Sequence, residues 1–311
     1  MVRVADKVAA GMLRGDEQAA MPGGIAALAS VLPRTTWRRA RTTGVGAVLP
    51  ACVLLFLFFA VPVLALLLRS VLEPRPGLQN YAALLASTTY LRVFSNTFVV
   101  AGLVTVVTVT LGLPLAWFLV VAPRFWSRLV FGIVILSMWT NLLARTYAWM
   151  VLLQSTGLIN RTLIALGLIR APLPLIYNLV GVTIGMTYIM LPFMVIPLQS
   201  TIASLDHATF QAASLCGATR WQSFRRVFLP LILPGLAAGG LMVFVMSLGY
   251  YITPALLGGT SNMMLAQLIA QLVQSLLNWG LAAAAAFVLL AITLTLYAAQ
   301  VRLLGVGRMT T

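Results

Sequence analysis

Six stretches of this chain stay apolar for about twenty residues or more, at roughly 45–68, 96–121, 129–153, 178–198, 231–252 and 281–301. An α-helix rises about 1.5 Å per residue, so each is long enough to cross a hydrocarbon core about 30 Å thick. No water reaches that core to satisfy backbone N–H and C=O groups, and a helix closes those bonds within itself. The expected fold is therefore all-α, a polytopic membrane protein with six transmembrane helices. A soluble alternative fails on composition: 61% of the 311 residues are hydrophobic and 8% are charged, more apolar side chain than a soluble domain can hide.

The net charge is +15, but its distribution excludes nucleic acid as a partner. The arginines punctuate the apolar runs and form no basic face, which is the pattern of orientation signals and lipid headgroup contacts. With the N-terminus in the cytoplasm, that side holds fourteen cationic residues: seven in the first 43 residues, then Arg124, Arg128, Arg220, Arg225, Arg226, Arg302 and Arg308. The far side holds five, Arg69, Arg75, Arg92, Arg161 and Arg170, and Arg145 is left inside the membrane. The positive-inside rule then places both termini in the cytoplasm. Residues 1–43 read as a polar cytoplasmic N-terminal tail and 44–311 as the transmembrane domain. Residues 254–278 do not form a clear span; Gln267, Gln271, Gln274 and Asn278 make one polar stripe on an otherwise apolar helix, placed at the far interface or facing a cavity.

The polar interruption at about 200–229 has an organisation of its own. Ser204 or Asp206 can cap a first short helix, because their side-chain oxygens accept from its free N–H groups. Leu205, Phe210, Ala213 and Leu215 give that helix an apolar side. Gly217 ends it, as the residue that most easily takes a left-handed C-cap. Trp221, Phe224 and Phe228 recur at helical spacing in a second piece that leads to Pro230.

This stretch resembles the signature of permeases of the binding-protein-dependent ABC importer class: E-A-A, three residues, G, nine residues, I-x-L-P. The match runs through Gln211, Ala212, Ala213, Gly217, Leu229 and Pro230, with Gln211 in place of the acid and Val227 in place of isoleucine. The resemblance implies the type I importer permease fold in a bacterial inner membrane. It also implies that the loop is a pair of coupling helices docking on a cytoplasmic ABC ATPase dimer. The remaining implied partners are a second permease subunit, a related but distinct chain, and a periplasmic solute-binding protein.

The third apolar run carries the sharpest single residue. Arg145 lies near its middle, where a cation costs about 2.5–3.5 kcal/mol on insertion scales and must face protein or water. It either lines the translocation path or fixes packing through helix-end carbonyls. The string Arg145-Thr146-Tyr147-Ala148-Trp149, and the regions 157–160 and 173–177, resemble the spermidine/putrescine branch of the same permeases. A polyamine calls for carboxylates or aromatic faces, and all five acidic residues lie outside the spans. The candidates for the path are therefore Trp139, Asn141, Arg145, Tyr147, Trp149, Tyr250 and Tyr251.

Other function classes fit less well. An ion-coupled secondary transporter generally needs an intramembrane carboxylate, and no span has one. An enzyme would need a nucleophile and base, or a metal set. His207 is the only histidine, Cys52 and Cys216 form no metal or disulfide pattern, and no catalytic group or cofactor is expected. There is no G-x-x-x-x-G-K-[ST] string, so ATP hydrolysis is expected in a partner subunit.

Overall fold

The computed structural model describes residues 40–73, 75–259 and 262–304. The tail expected over 1–43 falls outside them up to residue 39, and so does Arg308; Ala40 to Thr43 already belong to the first helix. The chain divides into two units, the first ending at Pro62 and the second beginning at Val63. In the first unit, α1 (Ala40–Leu55) runs into a π-type turn, Phe56–Ala60. The helical run Val48–Leu72 is long and apolar enough to span a membrane, and its last part is α2 (Val61–Leu72).

Within the second unit, a short helix α3 (Gln79–Ala86) precedes the 34-residue α4 (Thr88–Val121). The interfacial segment expected up to Ser95 thus extends the second span by more than two turns. At about 51 Å, α4 exceeds a 30 Å core and must tilt or project. Then come α5 (Arg124–Trp139), α6 (Leu142–Leu153) and α7 (Leu158–Ala165). The central helix is α8 (Leu179–Ala203). The polar loop holds α9 (His207–Leu215) and α10 (Arg220–Ser223), followed by a second π-type turn, Phe224–Phe228. The chain closes with α11 (Leu229–Leu248), α12 (Ile252–Leu257), α13 (Leu265–Gln274) and α14 (Trp279–Leu304).

Among the described residues five helical runs are long enough to cross a membrane, and a sixth is formed if α5 and the bent α6–α7 stretch count as one span. The third span is therefore not the straight helix expected over 129–153. It breaks at Thr140–Asn141 with a bend of 105°. Asn141 supplies the reason: its Oδ1 accepts from Leu143 N (2.8 Å) and Ala144 N (3.3 Å), starting a new helix by N-capping. Arg145 accordingly sits in the first turn of α6 and not in mid-helix.

The core gathers around α8. Of its apolar window 61% is buried, against 28% for α4 and 33% for the run containing α11. Met186, Met190, Met194 and Leu198 are fully buried along it. Small residues let the neighbours approach. A Cβ on Gly239 would lie 2.8 Å from Met194 Sδ, one on Gly112 would lie 3.0 Å from Met194 Cγ, and one on Gly235 would overlap the Thr201 side chain. Close approach through small residues is how helices pack where lipid and side chain are equally apolar. A second cluster joins α3, α4, α13 and α14 through Leu84, Val93, Leu268 and Ala284. There Thr97 Oγ1 of α4 accepts from Leu265 N at 2.8 Å, satisfying a free donor at the start of α13.

Gly235→Val should lower the thermal midpoint of the solubilised protein, at an overpacking cost of about 1–3 kcal/mol. Gly132→Val should not, since a Cβ there meets nothing within 4 Å. Equal midpoints for the two variants would mean that α8 and α11 do not cross closely at Gly235.

Candidate functional site

The loop between α8 and α11 is built almost wholly from local hydrogen bonds. Asp206 is the cap of α9: its Oδ1 accepts from Ala208 N at 2.8 Å. Ser204, the other sequence candidate, instead donates to Thr201 O. The far end of α9 closes with a Schellman motif, in which Ala218 N bonds Ala213 O (3.1 Å) and Gly217 N bonds Ser214 O (3.0 Å). That geometry needs a left-handed residue, and Gly217 has φ +79°. Two residues on, Thr219 and Gln222 form a capping box: Thr219 N donates to Gln222 Oε1 (2.9 Å) and Gln222 N to Thr219 Oγ1 (3.3 Å). The sequence contained this S/T-x-x-E/Q signal at Thr219, and the reading above did not use it.

Aromatic rings tie the loop to the bundle. Trp221 stacks on Phe224 at 5.7 Å and Phe224 on Phe228 at 5.5 Å, while Phe228 meets Phe210 at 6.4 Å. Phe228 is buried, and Leu205 and Phe210 are partly buried against the same core. Phe210, Phe224 and Phe228 and the last turn of α4, at Trp117 and Val121, line an open cleft of about 390 Å³. Leu215 behaves otherwise. It was assigned to the apolar side of α9, yet it is 88% exposed, because it occupies the last turn beside the Schellman closure and points off the bundle.

Of the residues matched to the permease signature, Gln211, Ala212 and Gly217 are exposed, Ala213 is half-buried, and Leu229 and Pro230 begin α11. The π-type turn before Pro230 has a covalent cause. Proline lacks an N–H and its ring crowds the carbonyl four residues back, here that of Arg226. The turn widens and Leu229 N bonds Phe224 O instead. The same spacing recurs at Pro62, where Val61 N bonds Phe56 O.

The residues proposed for a path fall into separate groups. Tyr250, between α11 and α12, lies in the field of Arg145 and is hydrogen-bonded to Thr253. Thr253 Oγ1 in turn lies 3.3 Å from Thr146 Oγ1. One turn beyond Arg145, Trp149 packs edge-on against Tyr188 at 5.7 Å. That pair stands on the wall of an almost wholly apolar cavity of about 490 Å³ between α4, α6 and α8. Trp139 is 85% exposed, Asn141 is occupied as a cap, and Tyr147 and Tyr251 are exposed without joining either group. The glutamine stripe also divides: Gln271, Gln274 and Asn278 are exposed, while Gln267 Oε1 is buried. Among the described residues no three His, Cys, Asp or Glu side chains come together to hold a metal.

A helical bundle with a short capped helix pair between its central helix and the next span is the fold of an ABC importer permease. The crystal structure of a bacterial alginate ABC transporter, in complex with its alginate pentasaccharide-bound periplasmic protein, contains a chain of this fold. It is 20% identical, with a TM-score of 0.69 over 86% of this chain and 96% of that one. The family of binding-protein-dependent transport system inner membrane components matches residues 79–304, and the chain belongs to it. It is 35% identical over 212 residues to the spermidine/putrescine transport system permease protein PotB of Salmonella typhimurium (strain SL1344), covering 68% of this chain and 74% of that protein. The corresponding protein of Haemophilus influenzae is 34% identical over 224 residues, 71% of this chain and 78% of that one. The chain is thus a multi-pass inner membrane protein and an ABC importer permease.

Thr219→Ala removes half of the capping box, a loss of about 0.5–2 kcal/mol for a helix start. Amide exchange at Gln222 should quicken with little change in α8 or α11. Unchanged exchange there would mean that the box does not hold α10 in place.

Proposed function

We propose that this chain pairs with a second, related but distinct permease subunit to form the translocation path for a small organic cation, a polyamine of the spermidine/putrescine type. In this reading the 206–230 loop docks on a cytoplasmic ATPase dimer, which hydrolyses ATP, and a periplasmic binding protein delivers the solute. Both termini are cytoplasmic, and residues 1–43 are a cytoplasmic tail.

One observation carries the coupling part. The loop is a pair of short helices whose joint is held by a Schellman closure and a capping box. It presents Gln211, Ala212 and Leu215 outward and connects rigidly, through the Phe224–Phe228 turn, to α11. Small side chains at Ala212 and Ala213 let a partner surface approach, and Leu215, 88% exposed, offers apolar area that a partner can cover. A push on α9 is passed to two membrane helices at once, α8 at one end and α11 at the other. The solute class is supported by the names of the PotB relatives. In this subunit, aromatic rings such as Trp149, Tyr188 and Tyr250 are the groups suited to an alkylammonium chain.

Gly217→Val tests the coupling. A β-branched residue at φ +79° is strained by about 1–3 kcal/mol, which moving α10 relieves. Nothing stands within 4 Å of the new Cβ, so membrane insertion and protein amount should hold. Solute-stimulated ATP hydrolysis by the reconstituted complex should fall about tenfold, the effect of roughly 1.4 kcal/mol. Gly217→Asn, which tolerates the left-handed region, should fall much less. Undiminished hydrolysis with Gly217→Val would contradict the role of this loop.

Orientation has its own test. In a background without Cys52 and Cys216, an impermeant thiol reagent added outside should label a cysteine at Leu168 and miss one at Thr209. The reverse pattern would turn the molecule over and remove the docking surface from the ATP side.

A further inference from the structure

Among the described residues no carboxylate pairs with Arg145. It sits in the first turn of α6, where the positive end of the helix disfavours a guanidinium. Its Nε is buried and finds no acceptor among the described residues. The neighbouring hydroxyls bond elsewhere and do not reach it: Thr146 Oγ1 donates to Leu142 O and faces Thr253, and Tyr250 bonds Thr253. The ion pair found among the described residues is elsewhere, between Arg69 and Glu73 at 3.6 Å.

The surroundings of Arg145 are not a lipid face. From Arg124 to the break after Trp139 the sixteen residues of α5 rise about 24 Å, short of a 30 Å core. The break itself, Thr140 and Asn141, is exposed on this chain. Irregular backbone at membrane depth persists only where protein covers it or a water-filled cavity lies against it. A half-buried arginine next to such a break is positioned to receive an acceptor from outside the chain.

We propose that this acceptor is a carboxylate carried by a membrane span of the second permease subunit. The inference rests on the paired-permease and polyamine readings above. A polycationic solute has no anion to offer Arg145. Among the described residues the carboxylates of a second copy are already engaged: Asp206 caps α9, and Glu73 follows the end of α2 and holds Arg69. The pair would also neutralise the positive charge of Arg145 beside Tyr250.

The test is charge reversal in the complex expressed with its own partner chains. Arg145→Glu should lower solute uptake at least about tenfold, as removal of a buried charge partner does. Converting one intramembrane acid of the co-purified second permease to arginine should do the same. Combining the two should restore uptake to within about threefold, the signature of direct pairing in a double-mutant cycle. Arg145→Gln serves if the reversed charge blocks insertion; it should also lower uptake, because it leaves the partner's acid unpaired. The proposal is overturned if assembled complexes are rescued by no such reversal, or if Arg145→Gln transports normally. A co-purified second permease that is this same chain overturns it while leaving the importer-permease reading intact. Co-purification of no second permease removes the pairing itself. Uptake that needs anionic lipid, with no rescue by reversal, would assign the acceptor to a lipid phosphate.

Discussion

Every backbone amide that leaves a helix within the bilayer must find a protein partner, and the breaks in this bundle are organised around that requirement. Asn141 caps α6 where the third span bends. Asn178 caps α8 by accepting from Gly181 N at 2.9 Å. Thr97 caps α13 from the neighbouring helix. Buried Asn160 binds Gln154 O and both backbone groups of Leu173, fixing the irregular connection before α8. Short neutral side chains do work that charged ones would do in water, because each charge placed in the hydrocarbon would cost several kcal/mol. Arg145 is the exception, and its unmatched Nε is what makes it informative.

The same economy shapes the junction with the 206–230 loop. Proline at position 230 denies the backbone one hydrogen bond and crowds another carbonyl, and the turn before it widens in response. The widened turn stays closed, Leu229 to Phe224, so α10 and α11 are joined by continuous hydrogen-bonded backbone. The stacked Trp221, Phe224 and Phe228 stiffen it along one side. A displacement of α9 therefore has a stiff route into α11 and a direct covalent one into α8, the most buried helix of the bundle.

Much of this was legible in the sequence. The six apolar runs, the capped polar loop at 206–230 and the left-handed Gly217 follow from length, spacing and the conformational freedom of glycine. The bend at Thr140–Asn141 was not legible, because hydropathy stays high on both sides and only one asparagine signals a new helix. The same blind spot placed Arg145 in mid-span. The extension of α4 back to Thr88 escaped because residues 88–95 mix Arg92 and Ser95 with Tyr90 and Phe94, which reads as interface until α13 and α14 are seen to cover it. Leu215 was assigned to the wrong face because helical periodicity assumes the helix continues, whereas the chain turns away two residues later. The cap from Thr97 to Leu265 joins residues 168 apart in sequence, beyond any local signal.

The central claim is that the exposed end of α9 is where this permease meets its ATPase. A photo-crosslinking residue at Leu215, in the complex assembled with its partner chains, measures that contact directly. The account predicts an efficient crosslink from Leu215 to the ATPase subunit, and none from a probe at Leu168 on the opposite side of the membrane. An intact complex in which Leu215 crosslinks to no ATPase, or in which Leu168 does, would contradict it.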